Sequence, residues 1–149
     1  MWTNTPEALA ARTMFIAAAP GSEMVFRASD WIDAIDYSCD SGWWPGEDES
    51  MAETKDETMA RKVREASPEM IMSLLLYGNV YPIEADYNDG RIMQGNGNHR
   101  LAVLAHYGMT VLVRKASDNI ANLSDLTRSM MPFDLAPEFD GILPDYVGA

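Results

Sequence analysis

Residues 88–108 read Asn88-Asp89-Gly90-Arg91-Ile92-Met93-Gln94-Gly95-Asn96-Gly97-Asn98-His99-Arg100-Leu101-Ala102-Val103-Leu104-Ala105-His106-Tyr107-Gly108, and this stretch decides the fold. Asn88-Asp89-Gly90 is a hairpin turn, because the Asp-Gly step reaches positive φ at little cost. Val80 to Tyr87, beginning beside Pro82, then reads as the first strand of the hairpin, and Arg91 to Gln94 as its return. A glycine-rich bend follows at Gly95-Asn96-Gly97-Asn98. From about Asn98 to Tyr107 the pattern is helical, with Leu101, Leu104 and Ala105 on the inner face and Gly108 as the stop. Thr110 to Val113 returns to a strand. Strand, turn, strand, glycine bend, helix and strand together predict an α/β (α+β) domain, a small mixed sheet flanked by helices.

Working outward, Ser67-Pro68-Glu69 opens a helix as N-cap and first-position proline. Met70, Ile71, Leu74 and Leu75 supply its core stripe, and Gly78 ends it. Its methionines are core filling. Glu53 to Ala66 is a helix with acids early and bases late, as the helix dipole prefers. Glu57 and Arg61 form an i,i+4 pair on it, and Met59, Val63 and Ala66 mark its buried side. Thr5-Pro6-Glu7 starts an Ala-rich helix that stops near Pro20-Gly21. Glu23 to Ala28 reads as a strand, after which Ser29 caps a short helix carrying Trp31, Ile32 and Ile35. Residues 38–52, with Trp43-Trp44 and the acids Glu47 to Glu49, read as a loop. Beyond Lys115, a helix is expected around Leu123 to Met130. Residues 132–149, with three prolines and four acids, read as an acidic tail that wraps the surface or frays.

A chain of 149 residues suits one domain spanning 1–149, with residues 67–114 as its core unit. The 11 Lys+Arg against 23 Asp+Glu give a net charge of -12. Such a charge repels polyanions, so tight, unaided binding to duplex DNA is not expected. Cys39 is the sole cysteine, which excludes an intrachain disulfide and a cysteine metal cluster. The start, Met1 to Glu7, lacks the basic region of a signal peptide, and Ala8 to Ala19 is short and holds Arg12. The expected location is the cytoplasm, with no membrane association.

The chemistry concentrates in Gly95, Asn96, Gly97, Asn98, His99 and Arg100. Glycines let the backbone approach a ligand, and the first amides of the next helix point outward without internal partners. The helix dipole adds partial positive charge there, so an anion, above all a phosphate, is the natural guest. Arg100 offers a planar, permanently charged fork. His99 can donate to an oxygen or carry a proton near neutral pH. A turn built for packing alone, with Arg100 paired to a carboxylate, is the alternative that spacing leaves open.

From Ser67 to Arg114 the order of elements resembles the ParB/sulfiredoxin superfamily. The resemblance rests on Gly78-Asn79-Val80-Tyr81-Pro82-Ile83 before the hairpin and on Gly-x-Gly-x-His-Arg-Leu-Ala after it. It covers about a third of the chain. It implies a nucleotide whose phosphates sit on Gly95, Gly97, Asn98, His99 and Arg100, with Tyr81 beside the ligand. Sulfiredoxins carry a catalytic cysteine where this chain has Asn98, which removes sulfinic acid reduction. The helix-turn-helix and dimerisation segment of partition proteins have no counterpart here, which argues against a CTP-gated DNA clamp. What remains resembles the small stand-alone members known as ParB-like nucleases, frequent in phage genomes. For a phage-encoded chain the location would be the host cytoplasm.

The resulting expectation is phosphate chemistry on ATP or CTP with Mg²⁺ (hydrolysis, phosphotransfer or nuclease action), with His99 and Arg100 as the catalytic pair. Glu69, Glu84 and Asp86 are the candidate metal carboxylates, as they flank the turn. The competing expectation is a non-catalytic, acidic interaction or inhibitor module that binds a basic protein and keeps the nucleotide fold as scaffold.

Overall fold

The computed structural model describes residues 2–38, 54–88 and 90–117. The acidic loop with Trp43-Trp44, Cys39, Asp89, the helix expected at 123–130 and the tail 132–149 lie outside them. The elements run α1 (Pro6–Ala17), β1 (Glu23–Arg27), α2 (Ala28–Ala34), β2 (Tyr37–Ser38), α3 (Lys55–Glu65), α4 (Pro68–Tyr77), β3 (Ile83–Asn88), β4 (Arg91–Gln94), α5 (Asn98–His106) and β5 (Thr110–Ser117).

The strands form one sheet in the order β1-β5-β3-β4-β2. It is mixed: β1 with β5 and β3 with β4 are antiparallel, while β3 with β5 and β2 with β4 are parallel. The hairpin is the one the Asp-Gly step predicts, with Asn88 opposite Arg91 and Gly90 at φ 79°. Parallel pairing of β3 with β5 demands a crossover, which α5 supplies. The α/β architecture with a mixed sheet is thus the one expected.

Burial alternates along β5, with Val111, Val113 and Lys115 buried and Leu112, Arg114 and Ala116 partly exposed. One face of the strand therefore enters the core. There Ile83, Ala85 and Ile92 meet Leu101, Val103 and Leu104 of α5 and Leu74 of α4. Trp31, on the buried side of α2, is stacked on Phe26 with ring centroids 5.0 Å apart and tilted against Phe15 at 5.2 Å. Lys115 is fully buried because its ammonium donates to the carbonyls of Ile16 and Ala18 at 2.9 and 2.8 Å. It thereby satisfies orphan acceptors at the negative end of α1.

Local chemistry corrects several expectations. Thr5 and Ser67 cap α1 and α4 through their hydroxyls, as read from the sequence. Ser29 caps nothing: α2 starts directly from β1, with Arg27 at the N-cap and no side-chain bond. Glu57 turns back to close a capping box with Thr54, while Arg61 reaches Glu65 at 3.0 Å. The box satisfies two backbone donors, which a surface ion pair with Arg61 would leave open. The strand begins at Ile83 rather than Val80, and the last one runs on to Ser117. Leu75, expected in the core stripe, is 43% exposed.

Candidate functional site

The glycine bend connects β4 to α5 on the sheet's interior, beside β3. The Gly95 amide donates to the Glu84 carbonyl at 3.0 Å, which continues the hairpin ladder by one rung. The two glycines have different reasons to be there. Gly97 is the N-cap of α5 at φ 113°, ψ 14°, in the left-handed region. A Cβ built on it would lie 3.0 Å from Ile83 Cγ1 and 3.3 Å from Arg100 Nη2. Gly95 has no positive φ, and a Cβ there would meet the Glu84 carbonyl oxygen at an ordinary 3.6 Å.

Gly97 offers no capping side chain to the first turn of α5. Arg100, in that turn, is 7% exposed, and its Nη1 donates to the Tyr81 carbonyl at 3.3 Å. Its guanidinium lies beneath Gly97, so a permanent charge and the positive end of the helix dipole converge on one backbone turn. Tyr81 itself is an exposed side chain at the exit of α4. The carbonyl of Tyr81 also accepts from Asn79 Nδ2 at 3.1 Å.

Asn98 is buried, and its amide orientation is dictated from the core. The Trp31 indole can only donate, and it donates to Gln94 Oε1 at 2.8 Å. Gln94 Nε2 must therefore donate in turn, and it does so to Asn98 Oδ1 at 2.8 Å. Ser38 Oγ gives the same oxygen a second hydrogen bond at 3.0 Å. Asn98 Nδ2 is left as a buried donor with no partner among the described residues. An unmatched buried donor costs about 1–3 kcal/mol, so the relay ends on a group that seeks an acceptor.

His99 points the other way. Its Nε2 sits 2.9 Å from Glu65 Oε1 at the end of α3, and both side chains are partly exposed. The hydrogen bond from His99, and next that from Arg61, holds the Glu65 carboxyl below the ordinary carboxylate range. The pair resembles an imidazole positioned by a carboxylate, an arrangement that suits proton transfer.

The three candidate metal carboxylates do not assemble. Glu69 is exposed at the start of α4, Glu84 pairs with Arg114 at 2.6 Å, and Asp86 is fully buried beside a register shift between β3 and β5. Among the described residues no group of three His, Cys, Asp or Glu side chains could hold a metal ion. Sequence reasoning missed Trp31, Gln94, Ser38 and Glu65, because their roles depend on contacts across 34 to 63 residues of chain. Gln94, an amide directly after the apolar Ile92-Met93 pair of the return strand, was the one local signal.

The net charge also divides unevenly. The described residues contain eleven acids and ten bases, a net of -1. Residues 39–53, 89 and 118–149 contain twelve acids and one base, a net of -11. Most of the net negative charge thus lies in segments outside the described residues. No helix of the described residues is long and apolar enough to cross a membrane. The chain matches no family model, no characterised protein and no solved structure.

Proposed function

We propose that this protein binds a nucleotide through its phosphates at the α5 N-terminus. The carrying observation is the buried Arg100 guanidinium lodged beneath left-handed Gly97, at a helix start with no capping side chain. Charge, dipole and close backbone approach then act on the same oxyanion. The buried, unmatched donor of Asn98 supplies a further reason for an acceptor at this helix start. The resemblance to the ParB/sulfiredoxin superfamily supports nucleotide over free phosphate.

In this reading Arg100 and the amides of Asn98 and His99 hold the phosphate, and Tyr81 flanks it. His99, held by Glu65, takes or gives the proton in phosphate transfer or hydrolysis. Mg²⁺, with ATP or CTP, would enter on the nucleotide itself, since such ions keep several waters and lean on substrate phosphates.

Thermal unfolding with ATP, CTP and GTP, each with and without Mg²⁺, tests the proposal. A nucleotide at a hundred times its Kd stabilises by about 2.7 kcal/mol. Arg100→Ala should abolish the shift. Asn98→Asp keeps the acceptor for Gln94 and Ser38 but replaces the unmatched donor by a negative oxygen. It should stay folded and lose the shift. No shift with any nucleotide in the wild type would overturn the reading. Loss of nicking of supercoiled DNA in His99→Ala, if the wild type nicks, would direct the chemistry to nucleic acid.

A further inference from the structure

Helix α4 has two apolar sides, and the core, through α5, uses one of them. Leu74 and Ser73 are buried, and Met70 and Ile71 pack against the core. On the opposite side Met72, Leu75 and Leu76 form an i, i+3, i+4 stripe, exposed by 62%, 43% and 63%. Tyr77, Val80 and Tyr81 carry the apolar surface past the Gly78 turn, each at least 44% exposed. A helix apolar on all sides is one that is covered on all sides, whereas a surface helix turns polar residues outward. These six side chains offer on the order of 600 Å², the upper end for the largest patch of a monomer.

We propose that this face is the contact between two copies of the chain, related by a two-fold axis across α4. The area fits: doubled across an axis it is about 1,200 Å², the lower bound of a stable specific interface. The shape fits too, because a stripe at helical spacing meets its own copy ridge to groove. Charge decides against the other occupants. Glu69 is the single charged residue of α4. It offers no counter-charge to the acidic segments 39–53 and 118–149, and no anchoring set for a basic partner. A neutral apolar face suits another neutral apolar face. The face shares Tyr81 with the proposed nucleotide site, since the Tyr81 carbonyl receives Arg100, but the test below needs no nucleotide.

Sedimentation velocity on the full chain, from ~1 to ~100 μM, tests it. The wild type should pass from monomer to dimer across this range. Added salt should favour the dimer, since it screens the repulsion between two chains of charge -12. Met72→Arg with Leu76→Arg should be monomeric throughout, with an unchanged melting temperature. Hydrogen exchange on the wild type gives a reading without substitutions: the amides of α4 should slow as concentration rises. A wild type that stays monomeric at every concentration, with α4 exchange unaffected, sinks the proposal and assigns the face to another segment or a foreign partner. A dimer that survives both substitutions sinks it equally, by placing the contact elsewhere.

Discussion

Arg12 and Arg100 are equally buried, each 7% exposed, yet the network that holds Arg12 and the relay that reaches α5 at Asn98, two residues before Arg100, end differently. Arg12 sends Nη1 to the Ala34 carbonyl and the Asp36 carboxylate, both at 2.8 Å, and Nη2 to the Gly90 carbonyl at 3.0 Å. The Trp2 ring covers its guanidinium at 4.5 Å, and Asp36 also accepts from the Ile92 amide. Lys55 adds its ammonium to the carbonyls of Ile32 and Ile35. That network closes within the protein and joins α1, α2, α3 and β4. The network at α5 runs from Trp31 through Gln94 to Asn98 and stops on a donor. A buried polar group that matches its partners holds a fold together, and one that is oriented by the core but unmatched is positioned for something else.

The largest effect is expected where the closed network is opened. Asp36→Ala leaves the Arg12 guanidinium buried without its counter-ion and the Ile92 amide without its acceptor. The cost should be about 3–5 kcal/mol. Urea unfolding checks it, as a lowered midpoint with the slope unchanged. A loss below about 1 kcal/mol would mean that the pair is as dispensable as a surface bridge, and the contrast between the two networks would fail.

Next come the two glycines of the bend. Gly97→Ala forces a side chain into the left-handed region and against Ile83, at a cost of about 1–3 kcal/mol. Gly95→Ala meets only an ordinary contact and should cost less than about 1 kcal/mol. Equal costs would show that the bend is not shaped around Gly97.

This asymmetry marks the limit of what the chain discloses by inspection. The hairpin, the glycine bend, α5 and the proline-started helices were legible, because each rests on residues within a few positions of one another. Asp-Gly sets a turn, Ser-Pro starts a helix, and alternation or a 3.6 period chooses the element. Gly95 and Gly97 looked equivalent because local spacing does not show that Ile83, twelve or more residues upstream, lies under just one of them. Glu57 looked like a partner for Arg61 because spacing permits that pair and the capping box alike. The total charge was legible, and so was its concentration in residues 39–53 and 118–149, which lie outside the described residues. The relay into Asn98 was the least visible part, as an indole more than sixty residues away fixes its direction.

A smaller, pH-dependent effect belongs to Lys55. Burial is the main cause that lowers its pKa to about 8 from 10.5, against the attraction of Asp33 and Asp36. Below pH 8 both the folded and the unfolded chain hold the proton, and the folded state bears the whole cost of the buried charge. Between pH 8 and 10.5 the unfolded chain holds more protons, so this group makes stability rise with pH. The slope is at most about 1.4 kcal/mol per pH unit. Above 10.5 the contribution is constant again. Comparison of wild type with Lys55→Met over that range isolates the slope from other titrating groups. If the two curves run parallel, Lys55 is not a strained member of the closed network.

The smallest expected change concerns Glu65 and His99, and it tests whether the open network has a chemical arm. Both side chains are partly exposed and the pair lies at the surface, so His99→Gln should leave the unfolding midpoint where it is. The informative quantity is the Glu65 carboxyl, which is held low first by His99 and then by Arg61. In His99→Gln its titration, followed by carboxyl NMR shifts, should move upward toward the ordinary value, while Arg61→Gln should move it less. The depressed pKa gives a contribution that is present above the unfolded pKa and fades as pH falls through the folded one. Any stability gained from the pair is therefore confined to pH above the carboxylate range. An unmoved Glu65 titration in His99→Gln would mean that the imidazole is not held by the carboxylate. His99 would then be an ordinary surface residue, and the open network would be reduced to its binding donors alone.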